Sequence, residues 1–354
     1  MNNKQKEWEY LPIWKALYPI MGTYLRLAFK YKDPFFFSNV NPAIETSGLF
    51  GESKIKILNS IPDEYKPITV FLEGSLSLEA CLVRIKKQNL NFPLVAKPNI
   101  GERGFLVKVI KSEKELEEYL QSYGIDIIVQ EFVDLPREMA VMYYRIPGQS
   151  KGYINSVCIK RFLSVIGDGN SSVLELMLQD ERAARQINRF EKEKKELLKL
   201  IPKNGEHLVI EKVGNHSKGT TFLDGSHLLN EKMLHQFNLI GQQMNDIFYG
   251  RFDLKYNTLE ELCAGINLKI IEFNGVGAEP AHIYDTEIPI KQKMKSYKEH
   301  LIQIGKLHEI QKSRGVKTNS LLQMIRFFRH YNAKTKLSLL TKRKSVVHDS
   351  LVIH

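Results

Sequence analysis

A carboxylate and a carboxamide stand two residues apart in an otherwise apolar run, KIIEFNG, at residues 269–275. The run has the length and composition of a short strand, and the side chains of a strand alternate between its two faces. Glu272 and Asn274 therefore project from the same face. An edge strand with one solvated face is the alternative, and these two residues alone do not decide between the readings.

A second polar face is predicted in YGRFDLKYN, residues 249–257. In this strand Arg251 and Asp253 would share one face, because they are also two residues apart. If it pairs with the first strand, Asp253 converges with Glu272 and Asn274. Hard oxygen ligands of this kind suit Mg²⁺ when nucleotide phosphates complete its coordination shell. The two strands together therefore predict magnesium bound with ATP.

A lysine and two glycines could bind a phosphate in the predicted hairpin LVAKPNIGERG, residues 94–104. Lys97 ends an apolar strand, four residues before the G-x-x-G turn that Gly101 and Gly104 form. The backbone amides of such a turn can close over a phosphate that the ammonium group contacts. The alternative is an exposed lysine beside an ordinary turn.

An adenine-binding loop is indicated by IIVQEFVDLPREMAV, residues 127–141. A strand here runs into a short loop at residues 130–133, whose free backbone amides and carbonyls could pair with the edge of an adenine. Glu138 follows as an acid that could accept hydrogen bonds from the ribose hydroxyls. The alternative is a strand, a turn and a second strand with solvated charges.

The net charge of +11 is concentrated towards the ends of the chain. Between residues 291 and 344, fifteen Lys and Arg stand against two acids, and the body of the chain is mildly acidic. The basic segments look helical and carry no nucleic-acid motif, so we expect no nucleic-acid partner. Three widely separated cysteines favour a reducing, cytoplasmic location.

The N-terminal segment WEYLPIWKALYPIMGTYLRLAFKYK, residues 8–32, combines aromatic and basic residues. Its prolines and internal charges make it too broken for a transmembrane span, and it lacks a signal-peptide cleavage site. We expect either an interfacial helix at the inner membrane surface or an aromatic helix packed on the body of the protein.

Strand pairs alternate with helices along the centre of the chain, which favours α+β subdomains over one doubly wound sheet. One long charged helix is expected around residues 180–200. Beyond residue 290 the pattern becomes helical and basic. The predicted organisation is an N-terminal aromatic and basic segment with a short region before the central domain (1–74), the central domain itself (75–290), and a basic helical C-terminal extension (291–354).

The order of these motifs resembles that of the ATP-grasp superfamily. GRFD and EFN look like the matching motifs of its carboxylate–amine ligases, such as the D-alanine–D-alanine ligases. KRFLSVIGDGNSSVLELM, residues 160–177, and GNHSKGTTF, residues 214–222, are similar to stretches of the cyanophycin synthetase branch. The resemblance covers roughly residues 75–290 and implies the ATP-grasp fold, in which two α+β subdomains grip ATP, with helical N- and C-terminal extensions.

The resemblance also implies a role for each motif residue. The α- or β-phosphate would contact Lys97, and the loop from Gly101 to Gly104 would form a lid. The adenine would lie against Glu131, Phe132 and Val133, and the ribose against Glu138. One or two Mg²⁺ (or Mn²⁺) ions would be held by Asp253, Glu272 and Asn274. Negative charge on an acyl phosphate would be stabilised by Arg251. Phosphate or acceptor contacts, with solvated loop positions as the alternative, are implied for Arg161, Asn215, Ser217 and Lys218.

The implied reaction is an ATP-dependent ligation. A small-molecule carboxylate attacks the γ-phosphorus to give an acyl phosphate and ADP, and an amine then displaces phosphate to form an amide. A kinase that phosphorylates a small molecule without condensation stays open, as do a non-enzymatic nucleotide-binding role and a homodimer. The H-G-x-x-G-E-D-G motif of the D-alanine–D-alanine ligases is missing, and the loop after EFN continues as GVGAEPAHIYD, so the acid and the amine are not identified.

Overall fold

A computed structural model describes residues 13–101 and 104–333 of the 354-residue chain. Within these residues, strands form three antiparallel sheets that helices cover, which confirms the predicted α+β class. The strands are β1 (Thr69–Leu72), β2 (Leu94–Pro98), β3 (Lys108–Ile110), β4 (Ile127–Glu131), β5 (Arg137–Arg145), β6 (Gly152–Arg161), β7 (Leu163–Ile166), β8 (His207–Glu211), β9 (Thr221–Asp224), β10 (Tyr249–Tyr256) and β11 (Leu268–Asn274).

The first sheet has the strand order β1-β4-β2-β3 and contains the predicted lysine hairpin. β2 and β3 pair antiparallel, with Leu94 opposite Ile110. Helices Leu78–Lys87 and Glu113–Tyr123 pack on this sheet and share one hydrophobic cluster with it. The second helix begins after Ser112, whose hydroxyl accepts a hydrogen bond from a backbone amide of the first turn and so acts as its N-cap.

The second sheet, β11-β10-β5-β6-β9, brings together strands that are far apart in the sequence. β10 pairs antiparallel with β11, which is the pairing that the magnesium prediction requires. Asp253 lies opposite Glu272, and Arg251 lies opposite Asn274. The intervening apolar side chains of both strands belong to the hydrophobic cluster beneath helix Glu231–Gln243. Because strand side chains alternate, the polar residues face away from that cluster.

β7 and β8 form a separate two-stranded sheet, and short helices cover it. The prediction of one long helix at residues 180–200 is wrong. The chain leaves the helical conformation at Lys194 (φ −143°), where the ammonium group of that residue donates to the carbonyl of Ile210 at 2.8 Å. The segment instead forms the helices Glu181–Ala184, Ile187–Glu193 and Lys195–Leu198.

Helices from the two ends of the described chain pack together. Helix Ile13–Tyr31 and helix Ile290–Ser313 contribute Tyr31 and Ile304 to one hydrophobic cluster, and a helix at residues 321–333 adds Met324. No helix in the described ranges is long and apolar enough to cross a membrane. Parts of three predicted features, the N-terminal segment, the lid and the basic tail, lie outside the described residues, at 1–12, 102–103 and 334–354.

Short helices complete the fold at Lys54–Asn59, Val173–Gln179 and Leu259–Cys263. Single 3₁₀ turns occur at Phe36–Asn39, Glu45–Ser47, Asp63–Tyr65, His216–Lys218, Ser226–Leu228 and Ala281–Tyr284.

Candidate active site

A cavity of about 970 Å³ is lined by residues of both larger sheets and of the terminal helices. Most of the predicted site residues line it, and they come from five strands and three loops. They are Lys97, Gly101, Gly104, Glu131, Phe132, Val133, Glu138, Asn215, Arg251, Asp253, Glu272 and Asn274. Ser217 lines it as well.

β10 contributes a buried ion pair to the cavity. The guanidinium group of Arg251 donates to both carboxylate oxygens of Asp253, from Nε at 2.8 Å and from Nη2 at 3.2 Å. Its remaining nitrogen, Nη1, donates to the carbonyl of Glu279 at 3.1 Å. The guanidinium plane is thus fixed by three hydrogen bonds, which lets it stabilise negative charge without reorganising.

Lys160 links Asp253 to a second carboxylate. Its ammonium group lies 2.9 Å from Oε1 of Glu138 and 3.1 Å from Oδ2 of Asp253, and all three side chains are buried. Burial alone would lower the pKa of Lys160, but Asp253 and Glu138 outweigh it and raise the pKa. Burial tends to raise the pKa of Asp253, but Arg251 and Lys160 hold it below its usual range. Lys160 and Asp253 therefore stabilise the charged forms of each other.

Lys97 approaches the same site from the first sheet. Its ammonium group donates to the carbonyl of Ile271 on β11 at 3.0 Å, next to Glu272. Burial lowers the pKa of Lys97 to about 8, although the charge of Glu272 opposes this shift. An anionic phosphate beside this group would favour its protonated form.

Lys54, which the sequence analysis did not select, holds the carboxylate of Glu272. The distance from its Nζ to Oε1 of Glu272 is 3.2 Å, and the same ammonium group donates to the carbonyl of Gly101 in the lid. Burial tends to raise the pKa of Glu272, but Lys54 and Lys97 lower it overall. No local motif marks Lys54, because its helix lies more than 200 residues before β11 in the sequence.

The side chains predicted to hold a magnesium ion with a nucleotide, those of Asp253, Glu272 and Asn274, line one cavity. Within residues 13–101 and 104–333, no three His, Cys, Asp or Glu side chains form a group that could hold a metal ion. The predicted set is of another kind, since it has two carboxylates and one amide and leaves the remaining positions to phosphate oxygens. The amide nitrogen of Asn274 is buried and has no hydrogen-bond partner in the described part of the chain. That amide therefore retains hydrogen-bonding capacity for a ligand.

The part of the cavity predicted to bind adenine is formed by the last residues of β4 and the loop that follows it. Oε2 of Glu131 accepts a hydrogen bond from the backbone amide of Ile68 at 3.3 Å, and the ammonium group of Lys255 lies 5.8 Å from the ring centre of Phe132. Oε2 of Glu138 is buried and lacks a hydrogen-bond partner among the residues described. This oxygen is available to a ribose hydroxyl.

The lid contacts the loop that follows β8. A Cβ atom at Gly104, where φ is +70°, would lie 2.1 Å from the side-chain nitrogen of Asn215. Only glycine permits both this backbone conformation and this approach. Ser217 in the same loop donates its backbone N–H to Oδ1 of Asn215 at 2.9 Å.

The structure does not bring Arg161 and Lys218 to the cavity. Arg161 is exposed at the end of β6, and Lys218 donates to the carbonyl of Val107 at 3.2 Å. Lys160 occupies the position predicted for its neighbour Arg161, because consecutive strand residues face opposite ways. The pairing of Glu138 with Lys160 across β5 and β6 sets this face, and it could not be read from one strand alone.

Residues 73–231 match the family model described as a RimK-like ATP-grasp domain. The fold is therefore the ATP-grasp fold predicted from the motifs. Over this stretch, which is less than half of the chain, the sequence is similar to RimK-like ATP-grasp domains. No curated protein matches the sequence significantly.

Solved structures similar to the chain include several ligases. A D-alanine–D-alanine ligase from Bacillus anthracis is 14% identical, with 74% of this chain and 68% of that chain covered and a TM-score of 0.41. A D-Ala:D-Ser ligase from Enterococcus faecalis is 12% identical, with coverages of 75% and 64% and a TM-score of 0.43. A bifunctional glutathione synthetase from Pasteurella multocida is 16% identical, with coverages of 71% and 36% and a TM-score of 0.38. The chain thus spans less than two thirds of the last two proteins.

Proposed function

We propose that the protein is an ATP- and Mg²⁺-dependent ligase that joins a small-molecule carboxylate to an amine through an acyl phosphate. The observation that carries this proposal is the convergence of Lys97, Arg251 and the three oxygen donors on one cavity of an ATP-grasp fold. In the reaction, a carboxylate oxygen attacks the γ-phosphorus and ADP leaves. The amine then attacks the acyl carbon, phosphate leaves, and the amine loses a proton.

The chain contributes position and charge to this reaction, because phosphoryl transfer needs little covalent work from the protein. Asp253, Glu272 and Asn274 would hold magnesium, which supplies charge neutralisation at the phosphates when it is bound. Lys97 would contact the α- or β-phosphate. Arg251, fixed by Asp253 and by the carbonyl of Glu279, would face the negative charge of the acyl phosphate.

Nucleotide selection would rest on the loop from Glu131 to Val133 and on Glu138. The two oxygens of the Glu138 carboxylate would have different partners. Oε1 accepts a hydrogen bond from Lys160, and Oε2 would accept one from a ribose hydroxyl. A buried acceptor without a partner destabilises the protein by about 1–3 kcal/mol, and a bound nucleotide would remove this cost.

The test is ADP release by purified protein with a library of carboxylic acids and amines. We expect Asp253→Asn and Glu272→Gln each to lower ADP release roughly 10²-fold or more, because each removes an anionic ligand of the proposed magnesium ion. Asp63→Asn is the matched control, since the side chain of Asp63 is 97% exposed and distant in sequence from the cavity strands. Circular dichroism must show that all three variants fold. Undiminished ADP release in either site variant would reject the metal assignment, and a phosphorylated acid or alcohol without condensation would indicate a kinase instead.

Peripheral membrane contact is a second part of the proposal. Four large apolar side chains on helix Ile13–Tyr31 recur at intervals of three and four residues and are exposed. They are Tyr18 (78%), Met21 (46%), Leu25 (58%) and Phe29 (88%). Arg26 and Lys30 lie on the same helix, so an apolar stripe with basic neighbours is available to an anionic bilayer.

A further inference from the structure

The cavity continues beyond the phosphate site into a region whose lining is apolar. Past Asn274 the chain leads to Val276 and Ala278, which line the cavity and belong to the hydrophobic cluster shared by the terminal helices. Helix Ile290–Ser313 adds Leu301 and Ile304 to the lining. We call this part of the cavity the apolar chamber. Other side chains that line it include Ile20, Met21, Tyr24, Phe35, Phe36, Phe37, Leu49 and Met324.

The wall of the chamber includes several side chains that are not fully buried. Tyr24, Phe35 and Leu301 pack against the hydrophobic cluster but are only partly buried, and Met21 is 46% exposed. A large apolar surface left partly open beside a polar site is a feature of ligand-binding pockets. A polar substrate would gain nothing from these side chains and would lose its own hydration.

Polar and charged groups line the junction between the chamber and the phosphate site, and Glu52 is a further charged residue in the lining of the cavity. His300 lines this junction, and its Nδ1 lies 2.6 Å from the hydroxyl oxygen of Tyr249. Burial lowers the pKa of His300 to about 4, so the ring is neutral at physiological pH. Glu279 is bonded through both its side chain and its backbone. Its carboxylate accepts a hydrogen bond from the hydroxyl of Tyr284, and its backbone carbonyl accepts one from Arg251.

The cavity thus has one end that contains Arg251 and Lys97, which could bind a carboxylate, and an apolar end suited to a hydrocarbon. We propose that the carboxylate substrate is an amphipathic acid whose aliphatic chain occupies the apolar chamber while its carboxylate lies at Arg251. This inference rests on the proposed ligase function, which places a carboxylate beside that guanidinium group. The residues that define the chamber come from the terminal helices and their neighbouring loops, outside the matched residues 73–231.

The test is a series of straight-chain carboxylates from butanoate to dodecanoate, kept below their micelle concentrations. Their dissociation constants are measured by calorimetry with the full chain, in the presence and absence of a non-hydrolysable ATP analogue with Mg²⁺. We expect binding to tighten roughly fourfold with each added methylene until the chamber is full, because each buried methylene is worth about 0.8 kcal/mol. A dissociation constant that does not change with chain length would overturn the inference.

Three variants localise the effect. Leu301→Gln, in the chamber wall, should reduce the gain per methylene, whereas Leu322→Gln, at an exposed position outside the lining, should leave it unchanged. Met21→Trp fills the chamber from a half-exposed position and should shorten the longest chain that still gains affinity, even if Leu301→Gln fails to fold. Equal slopes in all variants would refute the chamber as the binding site.

Binding of the ATP analogue, measured separately, reports on the proposed function. If the analogue binds and chain length has no effect, the ligase proposal stands and the chamber inference falls. If the analogue fails to bind but affinity still rises with chain length, the chamber inference stands and the ATP-dependent reaction falls.

Discussion

Acidification should destabilise the protein through His300, a residue at the junction of the two parts of the cavity. Its side chain is 4% exposed, and Nδ1 faces the hydroxyl of Tyr249. Burial lowers its pKa from 6.5 to about 4, the carbonyl of Val276 opposes this shift, and the charge of Arg251 adds to it. Below pH 6.5 the unfolded chain therefore takes up a proton at His300 that the folded protein does not bind. The stability that this residue contributes is present above pH 6.5 and is lost as the pH falls towards 4.

The size of the effect follows from these two pKa values. Between pH 7 and pH 5, protonation stabilises an unfolded chain with a histidine pKa of 6.5 by about 2 kcal/mol, whereas a folded state with a pKa of about 4 gains almost nothing. The free energy of unfolding should therefore fall by about 2 kcal/mol through this residue alone. His282 and His308 also have pKa values lowered by burial, so the total loss in the wild type should be larger.

Urea denaturation at pH 7 and pH 5 measures this loss. His300→Gln keeps a polar group opposite Tyr249 but cannot titrate, so its loss of stability between the two pH values should be about 2 kcal/mol smaller than that of the wild type. His227→Gln, at an exposed position, should lose as much as the wild type. The reasoning is refuted if His300→Gln and the wild type lose the same free energy, or if imidazole resonances show that His300 titrates near pH 6.5 in the folded protein.

Three further predictions concern packing, charge and membranes. Gly275→Ala should destabilise the fold by about 1–3 kcal/mol in urea denaturation, because the added methyl group would lie 2.2 Å from the backbone oxygen of Ser47. Gly22→Ala is the control and should not destabilise the fold, because Gly22 lies in a helix with open space around it. Lys160→Met should cost about 3–5 kcal/mol by the same assay, because it leaves the buried carboxylate of Glu138 without its ion-pair partner and removes one of the two cations that contact Asp253. Lys199→Met at an exposed position serves as its control, and equal effects would contradict the ion-pair argument. The protein should float with anionic liposomes at low salt and less at high salt, and Phe29→Asp should weaken flotation; no flotation at either salt removes the membrane proposal.

Local sequence patterns predicted those parts of the site that depend on strand alternation. The spacing of Glu272 and Asn274 placed both on one face, and the pairing of β10 with β11 brings Asp253 opposite Glu272. The lysine hairpin was also predicted from a local pattern, in which Lys97 stands at the end of the apolar strand β2 and shortly before two glycines. These features need only neighbouring residues, which is why one sequence suffices for them.

Features that depend on distant pairing were not predictable in the same way. Lys54 reaches Glu272 from a short helix before the ATP-grasp domain, and no periodicity links the two segments. Lys160 lies inside a recognised motif, but its direction depends on how β6 pairs with β5. The apolar chamber depends on contact between helix Ile13–Tyr31 and helix Ile290–Ser313, which hydrophobic patterning along either helix does not specify.

The turn at residues 45–48 ties the loop after β11 to the segment before the ATP-grasp domain. The backbone N–H of Val276 donates to the carbonyl of Ser47 at 3.0 Å, and that of Gly277 donates to the carbonyl of Gly48 at 2.9 Å, so the loop after β11 is held by main-chain bonds from residues more than 200 positions earlier. A fragment limited to residues 73–231 would lack this clamp together with β10 and β11. A chain cut between residues 51 and 68 would therefore regain a complete site only when its two pieces reassociate.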